Sequence, residues 1–238
     1  MLHDLQQLIC CETPTAELSA VAAGAALVDE IGAGYLGVGA ERIVVDGRTH
    51  LRWRLGDADS AAAPAPRALL VTHQDTVWPI GTLQRLPYRV DAGMLYGPGC
   101  FDMKTGLVMA LHALALLRVG DALPAVTLLV TGDEEIGSPT SRRLIEQEAR
   151  SATAAFVLEA SADGGALKTG RKGVSLYQVS AIGRAVHAGL EPETGINAGV
   201  EIAAQVLAIN NFGDAAAGTS VVPTALTAGT TSNTVPGS

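Results

Sequence analysis

The chain has 238 residues, 48% of them hydrophobic, and a formal net charge of −8. This length allows one sizeable core and a smaller second unit, and the acidic balance without a basic run argues against a nucleic-acid partner. Cys10, Cys11 and Cys100 cannot all pair, the N-terminus lacks a signal-peptide pattern, and no apolar run approaches membrane-spanning length, so we expect a cytoplasmic protein without a membrane partner.

The predicted elements of the first part of the chain are helices and a hairpin. In order, they are helices over 2–11 and 16–31, a β-hairpin over 42–55 that turns at Asp46-Gly47, and a Pro/Ala-rich surface loop over 56–67. Gly32, Gly34 and Gly37 match a dinucleotide-binding fingerprint by letters only. That fingerprint must follow a strand and open a helix, whereas this one follows a helix, which argues against the assignment.

Strands then alternate with helices, which is typical of a parallel sheet with helices on its faces. The predicted order is a strand at 68–72, a long loop at 73–100, a helix at 103–119, a strand at 125–131, a helix at 139–149 and a strand at 154–158. The pattern changes near 165–170, where we place a domain boundary. A strand at 174–182, a helix over 195–209 and a strand at 221–227 then predict a small α+β unit.

Acidic and imidazole side chains follow the predicted strands. His73 and Asp75 follow the first strand of the alternating region, Glu134 and Glu135 the second, and Glu159 the third. Asp102 lies in a Gly/Pro-rich loop before a helix. Because the carboxyl ends of parallel strands meet at one edge of a sheet, we expect these residues to form a metal site.

All of these positions except Glu159 also have an ordinary structural interpretation. His73 and Asp75 suit a loop histidine and a turn aspartate, Asp102 suits a helix N-cap, and Glu134-Glu135 suit first-turn acids of the 139–149 helix. Their occurrence together in one α/β unit favours metal binding. Asp75, two residues from His73, can fix the imidazole tautomer, Asp102 can bridge two cations, and the two glutamates can divide into a general base and a ligand.

Other chemistries find little support in the sequence. The chain has no Gly-x-Ser-x-Gly elbow, no P-loop pattern and no Cys-x-x-Cys pair. His187 lies in a glycine-containing segment of the second unit, and its spacing alone favours a surface or core histidine.

Six separated segments together resemble the dinuclear zinc peptidases and deacylases. The segments are THQDTVW, GPGCFDMKTG, TGDEEIGS, the Glu159 position, RAVHAGLEPETGINA and TAGTTSNTVP. This family includes glutamate carboxypeptidase, aminoacylase, acetylornithine deacetylase and succinyl-diaminopimelate desuccinylase, and the chain looks closest to glutamate carboxypeptidase. The resemblance implies an α/β fold: a three-layer zinc-peptidase-like catalytic domain with a mixed, mostly parallel sheet, plus a partial α+β, ferredoxin-like lid and dimerisation domain.

The resemblance implies a domain division and a ligand set. Residues 1–167 would be the N-terminal part of the catalytic domain and residues 168–238 a partial lid that forms a homodimer. His73, Asp102, Glu135 and Glu159 would bind two zinc ions, with Co²⁺ a possible substitute.

The resemblance also implies catalytic and substrate-binding roles. Asp75 would orient His73, and Asp102 would bridge the ions and precede a cis peptide bond. Glu134 would be the general base, His187 would stabilise the oxyanion and Asn233 would contact substrate.

The family continues beyond the last matched segment, and that continuation carries a final zinc-ligating histidine. No counterpart lies within these 238 residues, so we expect the chain alone to be weakly active or inactive, and prone to associate. The leading function is hydrolysis of a peptide or amide bond next to a C-terminal amino acid. The alternatives are N-acyl amino acid deacylation, a non-catalytic lid-dimerising fragment, and a metal-free two-carboxylate hydrolase that a chelator would not inhibit.

Overall fold

A computed structural model describes residues 1–56, 67–120 and 123–238. The described chain divides into two compact units, Met1–Thr169 and Gly170–Ser238. Most of the expected surface loop at 56–67 lies outside the described residues.

The first unit is built around a mixed sheet. Its helices and strands are α1 (Leu2–Cys10), α2 (Leu18–Leu36), β1 (Glu41–Val45), β2 (Arg48–Leu55), β3 (Arg67–His73), β4 (Arg89–Asp91), β5 (Met94–Tyr96), α3 (Thr105–Val119), β6 (Val126–Thr131), α4 (Arg142–Ser151) and β7 (Ala152–Val157). Among the described strands, the main sheet has the order β1-β2-β6-β3-β7, and β4 pairs with β5 separately.

The pairing confirms a mixed α/β sheet but corrects one detail. β3 pairs in parallel with β6 and β7, whereas β2 pairs antiparallel with β1 and β6. The described sheet therefore has as many parallel as antiparallel strand pairings, whereas we expected parallel pairings to predominate. The reason is that the β1–β2 hairpin, which turns through Asp46 (φ 48°) and Gly47 (φ 79°), adds to the sheet as a unit.

Helices cover both faces of the sheet. On one face, α1, α2 and α3 bury a core that includes Leu51 and Trp53 of β2 and Leu111 of α3. On the other face, Leu69 and Leu129 pack against α4. Since β6 is buried at every position, its apolar run VTLLVT is that of a central strand with both faces covered.

Two of the three glycines of the fingerprint-like segment, Gly32 and Gly37, have structural roles. Gly32 and Gly34 lie inside α2, and Gly37 ends this helix in a left-handed conformation. A Cβ atom at Gly32 would come within 2.7 Å of the Trp53 ring. The segment lacks the strand–turn–helix context of a dinucleotide site.

Helix α3 and the turn that precedes it form one long apolar stretch. The stretch Cys100–Val119 has 20 residues and a mean hydropathy of 1.4, enough by length and composition to cross a bilayer. This corrects our expectation that no apolar run reaches that length. Its residues Leu107, Val108 and Leu111 are fully buried among the side chains of the first unit, as in the core helix of a globular protein.

The second unit contains helix α5 (Ala198–Ile209), whose N-cap Asn197 accepts a hydrogen bond from Val200 N–H. The strands expected at 174–182 and 221–227 are not formed. Alternation alone does not make a strand, because the backbone N–H and C=O groups need a partner ladder. In the described residues of this unit, pairing is limited to isolated bridges such as Arg184 with Ile196.

Candidate metal centre

His73, the last residue of β3, is the centre of the candidate site. Its side chain is buried, and its Nε2 atom lies 3.0 Å from Asp102 Oδ1, 3.4 Å from Glu159 Oε1 and 3.8 Å from Glu134 Oε2. Residues that are far apart in sequence therefore converge on one imidazole nitrogen. This convergence rejects the interpretation of His73 as an ordinary loop histidine.

Asp75 holds the other ring nitrogen of His73. His73 Nδ1 lies 3.0 Å from the Asp75 carbonyl oxygen and 3.4 Å from its carboxylate Oδ1. Since both oxygens accept hydrogen bonds, Nδ1 carries a proton, and Nε2 is the ring nitrogen that would bind a cation in place of its own proton. The Thr15 hydroxyl, which sequence reasoning missed, donates to Asp75 Oδ2 at 2.8 Å.

Asp102 reaches the site from an irregular turn before α3. The Asp102–Met103 peptide bond is cis, as the resemblance implied, and Asp102 has extended dihedral angles. Helix α3 begins at Thr105 with Lys104 in the N-cap position, which rejects the N-cap interpretation of Asp102. Met103 packs beneath the site, where its sulfur accepts a hydrogen bond from His73 N–H at 3.2 Å.

Glu134 and Glu135 lie in a short 3₁₀ turn directly after β6. The turn spans Glu134–Ile136, whereas α4 begins only at Arg142, so these acids are not in the first turn of that helix. Both backbone amides point at Asp75: Glu134 N–H donates to Oδ1 at 3.3 Å and Glu135 N–H to Oδ2 at 3.4 Å. One buried carboxylate therefore holds both the histidine and the glutamate pair.

The electrostatics of the cluster favour a cation. Burial lowers the pKa of His73, but the carboxylates of Asp75 and Glu159 outweigh it and raise that pKa to about 11. Burial and the charge of Asp102 raise the pKa of Glu135 to about 7, and burial raises that of Glu134. Carboxylates crowded in this way are costly without a compensating positive charge.

Two groups of donor atoms fit a metal ion. They are His73 with Asp102 and Glu135, and His73 with Glu134 and Glu159, each with donors within 4.8 Å of one another. An imidazole nitrogen with carboxylate oxygens is a donor set that suits zinc. Because both groups use His73, whose Nε2 binds one ion at a time, two ions would have to share the carboxylates.

A buried polar network behind the glutamates also escaped sequence reasoning. His50 of β2 is fully buried and contacts Gly132 N–H and the Thr140 hydroxyl, and Thr140 in turn donates to Asp133. Burial lowers the pKa of His50 despite the nearby charges of Asp133 and Asp75. A lone histidine in an alternating strand carries no sequence signal for such a role.

Lys104 is a second buried group without a sequence signal. Its Nζ atom donates to the carbonyl oxygens of Leu8 at 2.7 Å and Cys11 at 2.9 Å, at the end of α1. These bonds attach the Asp102 turn to the N-terminal helix.

His187 and Asn233 lie together in the second unit. His187 pairs with Thr234 in an isolated bridge, and the Asn233 carbonyl oxygen accepts a hydrogen bond from Ala188 N–H at 2.8 Å. Both residues are exposed, and Gly189 N–H donates to His187 Nδ1 at 3.1 Å. The structure therefore brings two residues from separate motifs to one place.

Known proteins share this sequence pattern. Residues 69–234 match the model of peptidase family M20/M25/M40. Carboxypeptidase G2 from Pseudomonas sp. (strain RS-16) is 40% identical over 174 residues, which cover 71% of this chain and 42% of that protein. Succinyl-diaminopimelate desuccinylase from Corynebacterium glutamicum is 42% identical over 73 residues, or 30% of this chain and 19% of that protein.

Solved structures share the fold. The M20 family metallo-carboxypeptidase Sso-CP2 from Sulfolobus solfataricus has a TM-score of 0.64 at 18% identity, over 88% of this chain and 49% of that one. Aminopeptidase PepT from Bacillus cereus has a TM-score of 0.61 at 19% identity, over 99% and 62%. The chain thus spans about half the length of these relatives.

Proposed function

The chain belongs to peptidase family M20/M25/M40, and from this premise we propose that it is a zinc-dependent hydrolase. Its reaction is the cleavage of a peptide or amide bond next to a C-terminal amino acid. The observation that carries the proposal is the placement of His73, whose Nε2 atom faces Asp102 and Glu159 at 3.0 and 3.4 Å while Asp75 holds Nδ1.

His73, Asp102, Glu135 and Glu159 would hold two zinc ions, with Asp102 shared between them. When bound, these ions supply a Lewis acid that polarises an amide carbonyl and lowers the pKa of a water molecule. Asp75 keeps the His73 ring in the orientation that presents Nε2.

Glu134 is the general base in this proposal. Its side chain is about half exposed, at 48%, so a water molecule can reach it, and its backbone is fixed by the hydrogen bond to Asp75. The Glu134 carboxylate accepts a proton from the attacking water and passes it to the leaving amine nitrogen. Its raised pKa, which burial causes, brings the carboxyl closer to the value that suits a proton carrier at neutral pH.

The proposal also gives roles to two residues of the second unit, His187 and Asn233. The His187 side chain would stabilise the tetrahedral oxyanion, and Asn233 would contact the substrate. Their exposure and their position side by side support a shared role at one surface.

The second candidate is deacylation of an N-acyl amino acid by the same residues. The 42% identity to a succinyl-diaminopimelate desuccinylase, over 73 residues, supports it. Both reactions need the same water activation, and they differ only in the group on the acyl side of the amide bond.

We further propose that the protein forms a homodimer through residues 168–238 and acts in the cytoplasm. Large exposed apolar side chains of the second unit, such as Leu176 (94% exposed) and Ile182 (91% exposed), support an association surface. The three free cysteines are consistent with a reducing compartment.

The test combines metal binding with turnover on one sample. Purified chain is loaded with zinc and assayed on a panel of N-acyl-glutamates and dipeptides with a C-terminal glutamate. Preference for the dipeptides supports the peptidase function, and preference for the N-acyl substrates supports the deacylase function. Zinc binding without turnover supports the non-catalytic alternative, and turnover that persists in a chelator supports the metal-free hydrolase.

A further inference from the structure

His50 contacts the segment that carries Glu134 and Glu135 through both of its ring nitrogens. The residue lies in β2 with 0% of its surface exposed. Its Nδ1 atom is 3.3 Å from Gly132 N, and its Nε2 atom is 3.0 Å from Thr140 Oγ1. The two contacts flank the glutamate turn, one on each side of it in sequence.

The direction of every hydrogen bond in this network follows from its two ends. Gly132 N–H can only donate, so His50 Nδ1 is an acceptor and the ring proton resides on Nε2. At the other end, Asp133 Oδ2 accepts from Thr140 Oγ1 at 2.7 Å and from two backbone amides. The Thr140 hydroxyl therefore donates to Asp133 and accepts from His50 Nε2–H.

The resulting chain of hydrogen bonds, here called the His50 circuit, begins and ends at the adjacent residues Gly132 and Asp133. It runs from Gly132 N–H through the His50 ring and the Thr140 hydroxyl to the carboxylate of Asp133. The next two residues, Glu134 and Glu135, donate their backbone amides to Asp75. Four consecutive residues are thus held by buried groups, the first two by the His50 circuit and the last two by Asp75.

The network is costly for a purely structural turn. Asp133 is fully buried, and its Oδ1 atom has no hydrogen-bond partner among the described residues. Burial raises the pKa of Asp133, but hydrogen bonds from Ser141 and Thr140 outweigh it and hold that pKa below its ordinary value. The unpartnered Oδ1 atom still carries a desolvation cost that apolar residues of similar shape would not. The arrangement is better explained by a need for a fixed backbone at Glu134 and Glu135.

We propose that His50 is a positioning residue for the Glu134–Glu135 pair, acting through Gly132, Thr140 and Asp133. The inference rests on the proposed function, because it assigns His50 to the turn that carries the general base and one zinc ligand. It adds a residue of β2, distant in sequence from every motif of the site, to the residues on which catalysis depends.

Substitutions at position 50 separate the two ring contacts. His50→Asn retains an acceptor near the Nδ1 position, His50→Gln retains a donor near the Nε2 position, and His50→Leu removes both. Thr140→Val breaks the circuit from its other end and is a mild change at a half-buried position. The matched control is His112→Leu, because His112 is another hydrogen-bonded histidine of the first unit, with Nε2 2.7 Å from Asp4 Oδ2, and it does not contact the glutamate turn.

Each variant is measured for zinc affinity by chelator competition, for the visible spectrum of its cobalt form, for kcat and KM, and for stability by denaturant. We expect His50→Leu to lower zinc affinity and kcat about 10- to 100-fold and to alter the cobalt spectrum, as loss of a ligand-supporting group does. His50→Asn and His50→Gln should each recover part of both losses, and Thr140→Val should resemble them. KM should change little.

The His112→Leu control shows whether the loss of zinc affinity and kcat is specific to the His50 position. If His112→Leu loses as much zinc affinity and kcat as His50→Leu at equal stability, the inference is wrong. If His50→Leu does not fold, an unchanged spectrum and kcat in Thr140→Val overturn it instead. If wild-type protein binds no zinc, the proposed function fails. If wild-type protein binds zinc and the His50 variants keep its zinc affinity and cobalt spectrum, only the role of His50 is contradicted.

Discussion

The carboxylate of Asp75 lies 3.4 Å from His73 Nδ1 and is fully buried. The same carboxylate accepts the backbone amides of Glu134 and Glu135 and the Thr15 hydroxyl. The residue assigned from sequence as a partner of the histidine is thus also the anchor of the glutamate turn. A change at Asp75 should affect both parts of the site.

Asp75→Asn should therefore weaken metal binding more than the loss of a single hydrogen bond would. The amide nitrogen of Asn cannot accept a hydrogen bond, so it leaves one of the buried amides or the Thr15 hydroxyl without an acceptor. We expect zinc affinity to fall about 10- to 100-fold, measured by chelator competition. Asp91→Asn, at an exposed ion pair with Arg89, is the control and should bind zinc like wild type. Equal affinity in the two variants would contradict the anchor role.

Glu134→Gln tests the general base separately from the ligands. Glutamine has nearly the same shape but cannot accept the proton of water, so we expect kcat to fall about 10²- to 10⁴-fold. Zinc content, measured by elemental analysis, should stay at the wild-type value, whereas Glu135→Gln should reduce it. Loss of zinc in Glu134→Gln would instead make Glu134 a ligand, as its grouping with His73 and Glu159 allows.

Acid should destabilise the first unit through Glu148. Burial raises the pKa of this carboxyl, but hydrogen bonds from Arg54 (2.6 Å) and Arg52 (2.7 Å) outweigh it and hold the pKa below its ordinary 4.5. The stability from a depressed pKa is present above the unfolded value and is lost as pH falls through the folded one. At pH 7, Glu148→Gln should lower the free energy of unfolding by about 2 kcal/mol, below the usual cost of breaking a fully buried pair because Arg54 is half exposed.

Denaturant unfolding of wild type and Glu148→Gln at several pH values checks this prediction. The difference in the free energy of unfolding between the two proteins should shrink as pH falls below 4.5. A gap that stays constant down to the acid transition would show that the charge of Glu148 contributes nothing.

Gly106→Ala should disturb the site through packing alone. A Cβ atom at Gly106, in the first turn of α3, would collide with the carbonyl oxygen of Leu158, the residue before Glu159. We expect a loss of about 1–3 kcal/mol in the free energy of unfolding, together with weaker zinc binding. Gly34→Ala is the matched control, because nothing lies within 4 Å of its added Cβ. It should stabilise α2 by about 0.5–1 kcal/mol, and similar effects of the two changes on zinc binding would refute the packing argument.

The sequence predicted the sheet unit well because its signals are local. Apolar runs and helical spacing located β3, β6 and α3 to within a few residues, and strand ends predicted that His73, Glu134 and Glu159 would meet. Their individual roles stay predictions. The strands expected at 174–182 and 221–227 failed because alternation does not specify a pairing partner.

The supporting groups could not be predicted, because their roles depend on contacts distant in sequence. His50 lies 82 residues from Gly132 and 90 from Thr140, yet bonds to both. Lys104 and Thr15 likewise look ordinary in sequence and act only through the folded chain. Such residues become visible when buried polar atoms are matched to their partners.

The most direct test of the account is zinc binding by the 238-residue chain, measured by equilibrium dialysis and elemental analysis beside His73→Ala. His73 is common to both donor groups, so its loss removes a ligand from each. We predict that wild-type protein retains zinc and that His73→Ala loses most of it while remaining folded. Wild-type protein that binds no zinc, or a folded His73→Ala variant that binds it equally well, would contradict the assignment of this cluster as a metal centre.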